Sequence, residues 1–161
     1  MSALMLLPNG VQTMSQDIPG LVQTSLNLGI ARLGEDMELT FSVRSSVDAE
    51  KQALLQKLKE LCVFHGGSFV EKGSYPAWEY RADSPLREAM IRVYRRMYEA
   101  KPQIVAIHAG LECGLLGQKL PGLDCVSIGP EMHDIHTSRE RLGIASVERM
   151  WQYLLELLKE L

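Results

Sequence analysis

Between Leu26 and Cys62 the apolar period changes from two to about 3.6, which limits what the first half of the chain can become. Leu26, Leu28 and Ile30 alternate with small or polar residues; after Leu33-Gly34-Glu35-Asp36, Met37, Leu39, Phe41 and Val43 alternate with Glu38, Thr40, Ser42 and Arg44. Strict alternation describes strands with one dry and one wet face, so the two runs predict an antiparallel hairpin. Leu54, Leu55, Leu58, Leu61 and Cys62 then recur at three and four, the stripe of an amphipathic helix that Ser46 or Asp48 is placed to cap. His65-Gly66-Gly67 ends this helix, with the His65 imidazole expected near its last carbonyls, and residues 68–72 read as a further strand. The expected order is strand, strand, helix, strand. By contrast, residues 1–20 offer only a short apolar stub followed by turn chemistry, more like the middle of a protein than a beginning.

The turn-rich stretch GSYPAWEYRADSP is the best boundary, near residues 74–83. Beyond it Ser84-Pro85 opens a helix with Leu86, Ala89, Met90, Val93 and Met97 on one face. QIVAIH and DCVSI are short continuous apolar runs, suited to parallel strands buried on both sides. A last helix from near Ser146 carries Val147, Met150, Trp151, Leu154, Leu155 and Leu158, a broad stripe expected to face that sheet. The second lobe therefore reads as α/β.

A chain of 161 residues is long enough for one domain or two small lobes with a real core. Its net charge of -3 supplies no basic footprint, so no nucleic-acid partner is expected. Cys62, Cys113 and Cys125 form no CxxC pair and are odd in number, which favours a reducing compartment. There is no signal-peptide pattern at the start, and no apolar run approaches the roughly 20 residues that span a bilayer. A soluble, cytoplasmic protein without a membrane partner is the expectation.

Loops beyond the carboxyl ends of strands gather ligands in open α/β sheets. HAGLECG and GPEMHDIHTSRER both lie there and are expected to face one cleft. Glu131, His133, Asp134 and His136 offer the nitrogen and oxygen donors of a metal site, or two half-exposed histidines that cap a turn. His108, at a strand end, reads as a satisfied core or rim histidine. Glu112 is placed either to receive a substrate amine or to cap the helix that begins Leu115-Leu116. Cys113 as a nucleophile, with His108 or His136 as base, competes with a small buried cysteine. Arg44 lies on the polar strand face, where a surface ion pair is the ordinary outcome.

NLGIARL, RSSVD, HAGLECGLLG, PGLDCVSIGPEMHDIHTSRERL and SVERMWQYLLELLKEL together resemble the C-terminal third of the aminoacyl-histidine dipeptidases, the bacterial carnosinase-like branch of the dizinc aminopeptidase, aminoacylase and carboxypeptidase family. The resemblance covers nearly the whole chain. It implies an α/β fold: residues 1–78 as the ββαβ half of a ferredoxin-like lid and dimerisation lobe, then residues 79–161 as the C-terminal segment of a zinc-peptidase α/β sheet. It also implies a chain that starts inside the lid, without the N-terminal catalytic portion.

Carried over by motif, the resemblance makes His136 a zinc ligand, Glu112 a residue near the substrate's amino end, and Arg44 the lid residue that holds the substrate carboxylate. It assigns no role to His133. The family's two zinc ions, for which other divalent metals can substitute, polarise the scissile carbonyl and lower the pKa of a bridging water toward about 7, with a glutamate as general base. That glutamate and the remaining ligands lie in the portion this sequence lacks. The expectation is a segment of an Xaa-His dipeptidase that is inactive alone, homo-oligomeric, and partnered by a dipeptide and by the missing catalytic portion. The alternatives are a noncatalytic module pairing through a strand edge, and a mononuclear site of Glu131, His133 and His136.

Overall fold

The structure, a computed structural model, describes residues 2–106 and 112–161. It is a mixed α/β chain with the elements α1 (Ser2–Leu6), β1 (Gly10–Met14), β2 (Val22–Leu33), β3 (Met37–Ser45), α2 (Asp48–Phe64), α3 (Pro85–Tyr98), α4 (Glu112–Lys119), β4 (Met132–His133), β5 (Arg141–Leu142) and α5 (Ile144–Leu158). It divides into two compact units, residues 1–82 with 105–121 and residues 83–104 with 122–161.

In the first unit β2 and β3 form the predicted hairpin, with Leu26 opposite Val43 and Leu28 opposite Phe41 on the dry face. The strand period then breaks. A bulge at Gly29 places Ile30 opposite the exposed Thr40, so Ile30 turns to the wet face, because one extra residue reverses every side chain beyond it. Leu26, Leu54 and Leu58 form the core, with Leu7, Phe41, Val43 and Phe69 packed around them; the tip of the hairpin, at Leu33 and Met37, lies outside it and is exposed. The opening residues are more regular than turn chemistry predicts: β1 joins antiparallel to β2, giving the sheet order β1-β2-β3.

Glu50 of α2 ties this sheet together. Its carboxylate accepts from Thr13 of β1 at 2.5 Å, from Gln23 of β2 at 2.6 Å, and from the Thr24 hydroxyl. Thr24 is buried and its hydroxyl also pairs with that of Ser45 on β3 at 2.8 Å. The polar groups are thus all matched, which keeps their burial from being costly.

Neither Ser46 nor Asp48 caps α2. Its first amide, that of Asp48, donates instead to the Glu79 carboxylate at 3.1 Å. The Asp48 carboxylate accepts from Lys51 Nζ at 2.7 Å and from the Ala77 amide at 3.1 Å. Lys51 is only 6% exposed; its ammonium also donates to the Tyr75 carbonyl and lies 5.6 Å from the Tyr75 ring centre. His65 is the C-cap as predicted, but through its backbone amide, while its imidazole meets Phe64 edge-on at 5.1 Å.

Residues 68–72 form no strand. Phe69 packs into the core and Val70 is exposed, so the alternation is present, but no described segment supplies a hydrogen-bonding ladder.

In the second unit α3 begins as predicted. Ser84 caps it by accepting from the Arg87 amide at 3.1 Å, with Pro85 in the first turn. Asp124 completes the cap, accepting from the Ser84 hydroxyl at 2.7 Å and from the Leu86 amide at 2.9 Å. Ala89, Met90 and Val93 pack on Tyr153 and Leu157 of α5, bordered by Leu86, Tyr94, Met97, Tyr98, Val126 and Met150. The Tyr153 hydroxyl, brought inside with its ring, donates to the Met90 carbonyl at 2.8 Å.

Residues 103–106 and 124–128 belong to no strand, since no described segment pairs with them; Asp124 and Val126 dock on the helices instead. The stripe predicted to bury α5 also lies largely outside. Val147, Trp151, Leu155 and Leu158 are exposed, and the buried side runs through Ser146, Met150, Tyr153 and Leu157. A helix apolar on most of its circumference does not reveal by period alone which side is covered.

Hydrogen bonds from Thr13, Thr24 and Gln23 favour ionised Glu50 and hold its carboxyl below the ordinary glutamate range, against a smaller opposing effect of burial. A group lowered in the folded state contributes stability above its unfolded pKa and loses it as pH falls through the folded value. Glu50→Ala is expected to cost about 2 kcal/mol at neutral pH and to flatten the loss of stability on acidification below the ordinary glutamate range, as checked by urea unfolding at a series of pH values. Val93→Ala, at a fully buried site, is expected to cost about 2 kcal/mol in the same assay, through lost contacts and a residual void.

Candidate functional site

The stretch that gathers donor side chains folds as a small hairpin in the second unit. Met132 pairs with Leu142, and His133 pairs with Arg141. The base is closed by the Gly143 amide donating to the Glu131 carbonyl at 2.9 Å. Ser146, in the first turn of α5, stitches that base to the helix: its hydroxyl donates to the Gly143 carbonyl at 2.5 Å and accepts from the Glu131 amide at 2.8 Å. On the outside, Arg149 donates to the Glu131 carboxylate at 2.7 Å.

The loop between the strands carries two non-glycine residues in the left-handed region, Asp134 at φ 51° and His136 at φ 65°. Such residues are costly unless local bonds hold them. The Asp134 carbonyl accepts from the Thr137 hydroxyl at 2.7 Å and from the Thr137 amide at 3.2 Å. The Asp134 carboxylate accepts from Arg141 Nη2 at 3.0 Å. The His136 amide donates to Glu140 Oε2 at 2.8 Å, and the Glu140 amide donates to the Thr137 carbonyl at 3.2 Å. The His136 imidazole is left exposed, with no hydrogen bond or ion pair among the described residues.

The other predicted site residues lie in the first unit. Arg44 is exposed on β3, opposite Ser25 of β2, and makes no ion pair among the described residues, so its ordinary surface role is unfilled. Glu112 is the exposed first residue of α4. That helix is seated closely: a Cβ built on Gly114 would stand 2.7 Å from the Pro76 carbonyl oxygen and 3.3 Å from that of Ala77. Only glycine allows this approach, which sets where Glu112 begins its turn.

The mononuclear alternative fails on geometry. Among the described residues no three His, Cys, Asp or Glu side chains gather around a point that could hold a metal ion, and Glu131 is engaged by Arg149. The His136 imidazole is unengaged among the described residues, which suits a contributed ligand and not a closed site. Cys113 is half-buried and outside any disulfide. His108 falls outside the described residues, as does most of the HAGLECG loop. Glu140, Arg141 and Ser146, which shape the hairpin, were not singled out by residue chemistry; the legible signal is Thr137 followed three residues later by Glu140, the spacing of a reciprocal backbone cap.

Among the described residues no helix is long and apolar enough to cross a membrane. No protein-family model matches the chain. Over 155 residues it is 39% identical to the cytosol non-specific dipeptidase of Escherichia coli, covering 96% of this chain and 32% of that protein. The crystal structure of aminoacylhistidine dipeptidase from Vibrio alginolyticus superposes with a TM-score of 0.89 at 34% identity, covering 98% of this chain and 32% of the other. Aminopeptidase PepT from Bacillus cereus superposes at 0.79 with 18% identity, covering 98% of this chain and 43% of the other, a likeness that bears on the fold alone. The chain spans about a third of the length of the dipeptidases it matches. From the hairpin sheet to the His136 loop, it is a homologue of that third of the aminoacylhistidine and cytosol non-specific dipeptidases.

Proposed function

We propose that the chain is the part of a metal-dependent cytoplasmic dipeptidase that supplies one metal ligand and two substrate contacts, and that it does not hydrolyse peptides alone. The observation that carries the reading is the His136 imidazole, exposed and unengaged among the described residues on a loop held by bonds of Thr137, Glu140 and Arg141. His136 would hold the metal, zinc in the first instance, through a ring nitrogen. Bound divalent metal would supply polarisation of the scissile carbonyl and an acidified water.

Arg44 would present its planar guanidinium to the substrate carboxylate, a match a lysine ammonium does not reproduce. Glu112 would offer a carboxylate to the protonated amino end of the dipeptide. The relatives' names include both aminoacylhistidine and non-specific dipeptidase; Xaa-His dipeptides are the proposed substrates. Among the described residues no cluster of metal-binding side chains forms, and one imidazole does not make a two-metal site.

Dialysis of the purified chain against buffered zinc, followed by metal analysis, is expected to give less than one zinc per chain and still less in His136→Ala, with no detectable cleavage of an Xaa-His or any other dipeptide. A single tightly held zinc lost in His136→Ala would mean a self-contained site. Zinc retention unaffected by that substitution would remove His136 from the ligand set.

A second reading has its own observation. β3 is the last strand of its sheet, nine residues long, with no neighbour on its outer side among the described residues. An open edge of this length is a template for pairing, and we propose that two copies join there, as a noncatalytic dimerisation role requires. Sedimentation is expected to show a dimer that a proline at Ser42 converts to monomer; a strict monomer at high concentration excludes this pairing.

A further inference from the structure

We propose that Glu140 is a positioning residue for His136, holding the histidine backbone in the left-handed conformation from which its imidazole is offered to metal. The inference rests on the ligand reading of His136 above and adds to it the group that keeps the ligand in place.

Left to itself, a histidine at φ 65° would relax toward the extended or right-handed regions. The Glu140 carboxylate opposes that relaxation, because it accepts the His136 amide at 2.8 Å in the observed conformation. An ionised acceptor makes this the strongest class of hydrogen bond available to a backbone N–H. Glu140 is itself fixed at both ends: its amide is tied to the Thr137 carbonyl at 3.2 Å, and the next residue, Arg141, is paired across the hairpin with His133 and bonded to Asp134 at 3.0 Å. The second left-handed residue, Asp134, is held by the two bonds from Thr137 to its carbonyl. The two strained positions therefore have separate supports, and Glu140 is the support that acts on the histidine.

This arrangement leaves the imidazole free while immobilising its backbone. A ligand that is already oriented loses less freedom when it binds, which is how supporting groups raise metal affinity without touching the metal. Gln at position 140 retains an acceptor oxygen on the same stem, whereas Ala removes it.

The test uses the full chain, labelled with nitrogen-15 and carbon-13, with Glu140→Ala, Glu140→Gln and His136→Ala beside the parent. In Glu140→Ala the His136 amide is expected to exchange with solvent about tenfold faster or more, the scale of losing a hydrogen bond to a charged group. Its Cα shift should also leave the left-handed range, while the Met132–Leu142 pairing and the Tyr153 resonances stay in place. Glu140→Gln is expected to restore both His136 signatures to within about a factor of three. Unchanged exchange and Cα shift in Glu140→Ala would overturn the proposal, as would collapse of the whole hairpin, which would make Glu140 a general structural residue. A separate arm adds zinc chloride alone and follows the imidazole carbons. A shift at His136 in the parent supports the ligand reading; no shift there removes that reading whatever the amide does, so the two failures are distinguishable.

Discussion

A buried ammonium organises the first unit. Lys51 lies inside, which is tolerable only because Asp48, the Tyr75 carbonyl and the Tyr75 ring surround its charge. The same knot fastens residues 75–79, a stretch with no ladder or helix of its own, to the start of α2: Asp48 takes the Ala77 amide and Glu79 takes the Asp48 amide. On that stretch Gly114 seats α4. The placement of Glu112 thus descends from a lysine more than sixty positions earlier, through bonds that are local in space and distant in the chain.

The second unit uses a different logic. Its core is apolar and comes from two helices, with the Tyr153 hydroxyl bonded inside it to the Met90 carbonyl and other polar groups finishing helix ends at its edge. Asp124 and Ser84 share the start of α3, and Ser146 joins the start of α5 to the hairpin base. The His136 loop is therefore carried on a helix terminus, a rigid support for a residue in a strained conformation.

These differences account for what could be read from residues alone. α2, α3 and the β2–β3 hairpin were legible because their signals are periodic and local: the stripe from Leu54 to Cys62, the Ser84-Pro85 start, the alternation through Val43. The Glu79 cap was not, because no pattern links positions 31 residues apart. Gly29 concealed a bulge, and the burial of α5 could not be chosen among several apolar sides. Residues 103–106 and 124–128 have strand composition without strand pairing, since composition specifies willingness to pair and a neighbour must supply the ladder. At the site, family motifs picked out His136, Glu112 and Arg44, but residue chemistry alone left each with an alternative. Glu131 is engaged by Arg149 through a contact 18 residues away in the chain, and the His136 ring is engaged by no described residue, neither of which a local pattern encodes.

The uneven covering of α5 has an optical consequence. The chain has two tryptophans, one in each unit. Trp151 stands 61% exposed on the outer side of α5, whereas Trp78 is half-buried beside the Tyr75–Ala77 stretch that Lys51 anchors. Their indoles sample different solvents, so their emission should differ in colour and quenching: a water-relaxed, iodide-accessible fluorophore on the second unit and a shielded one on the first. Each unit thus contains its own reporter, and anything that settles on the outer side of α5 will shift the emission of Trp151 toward the blue.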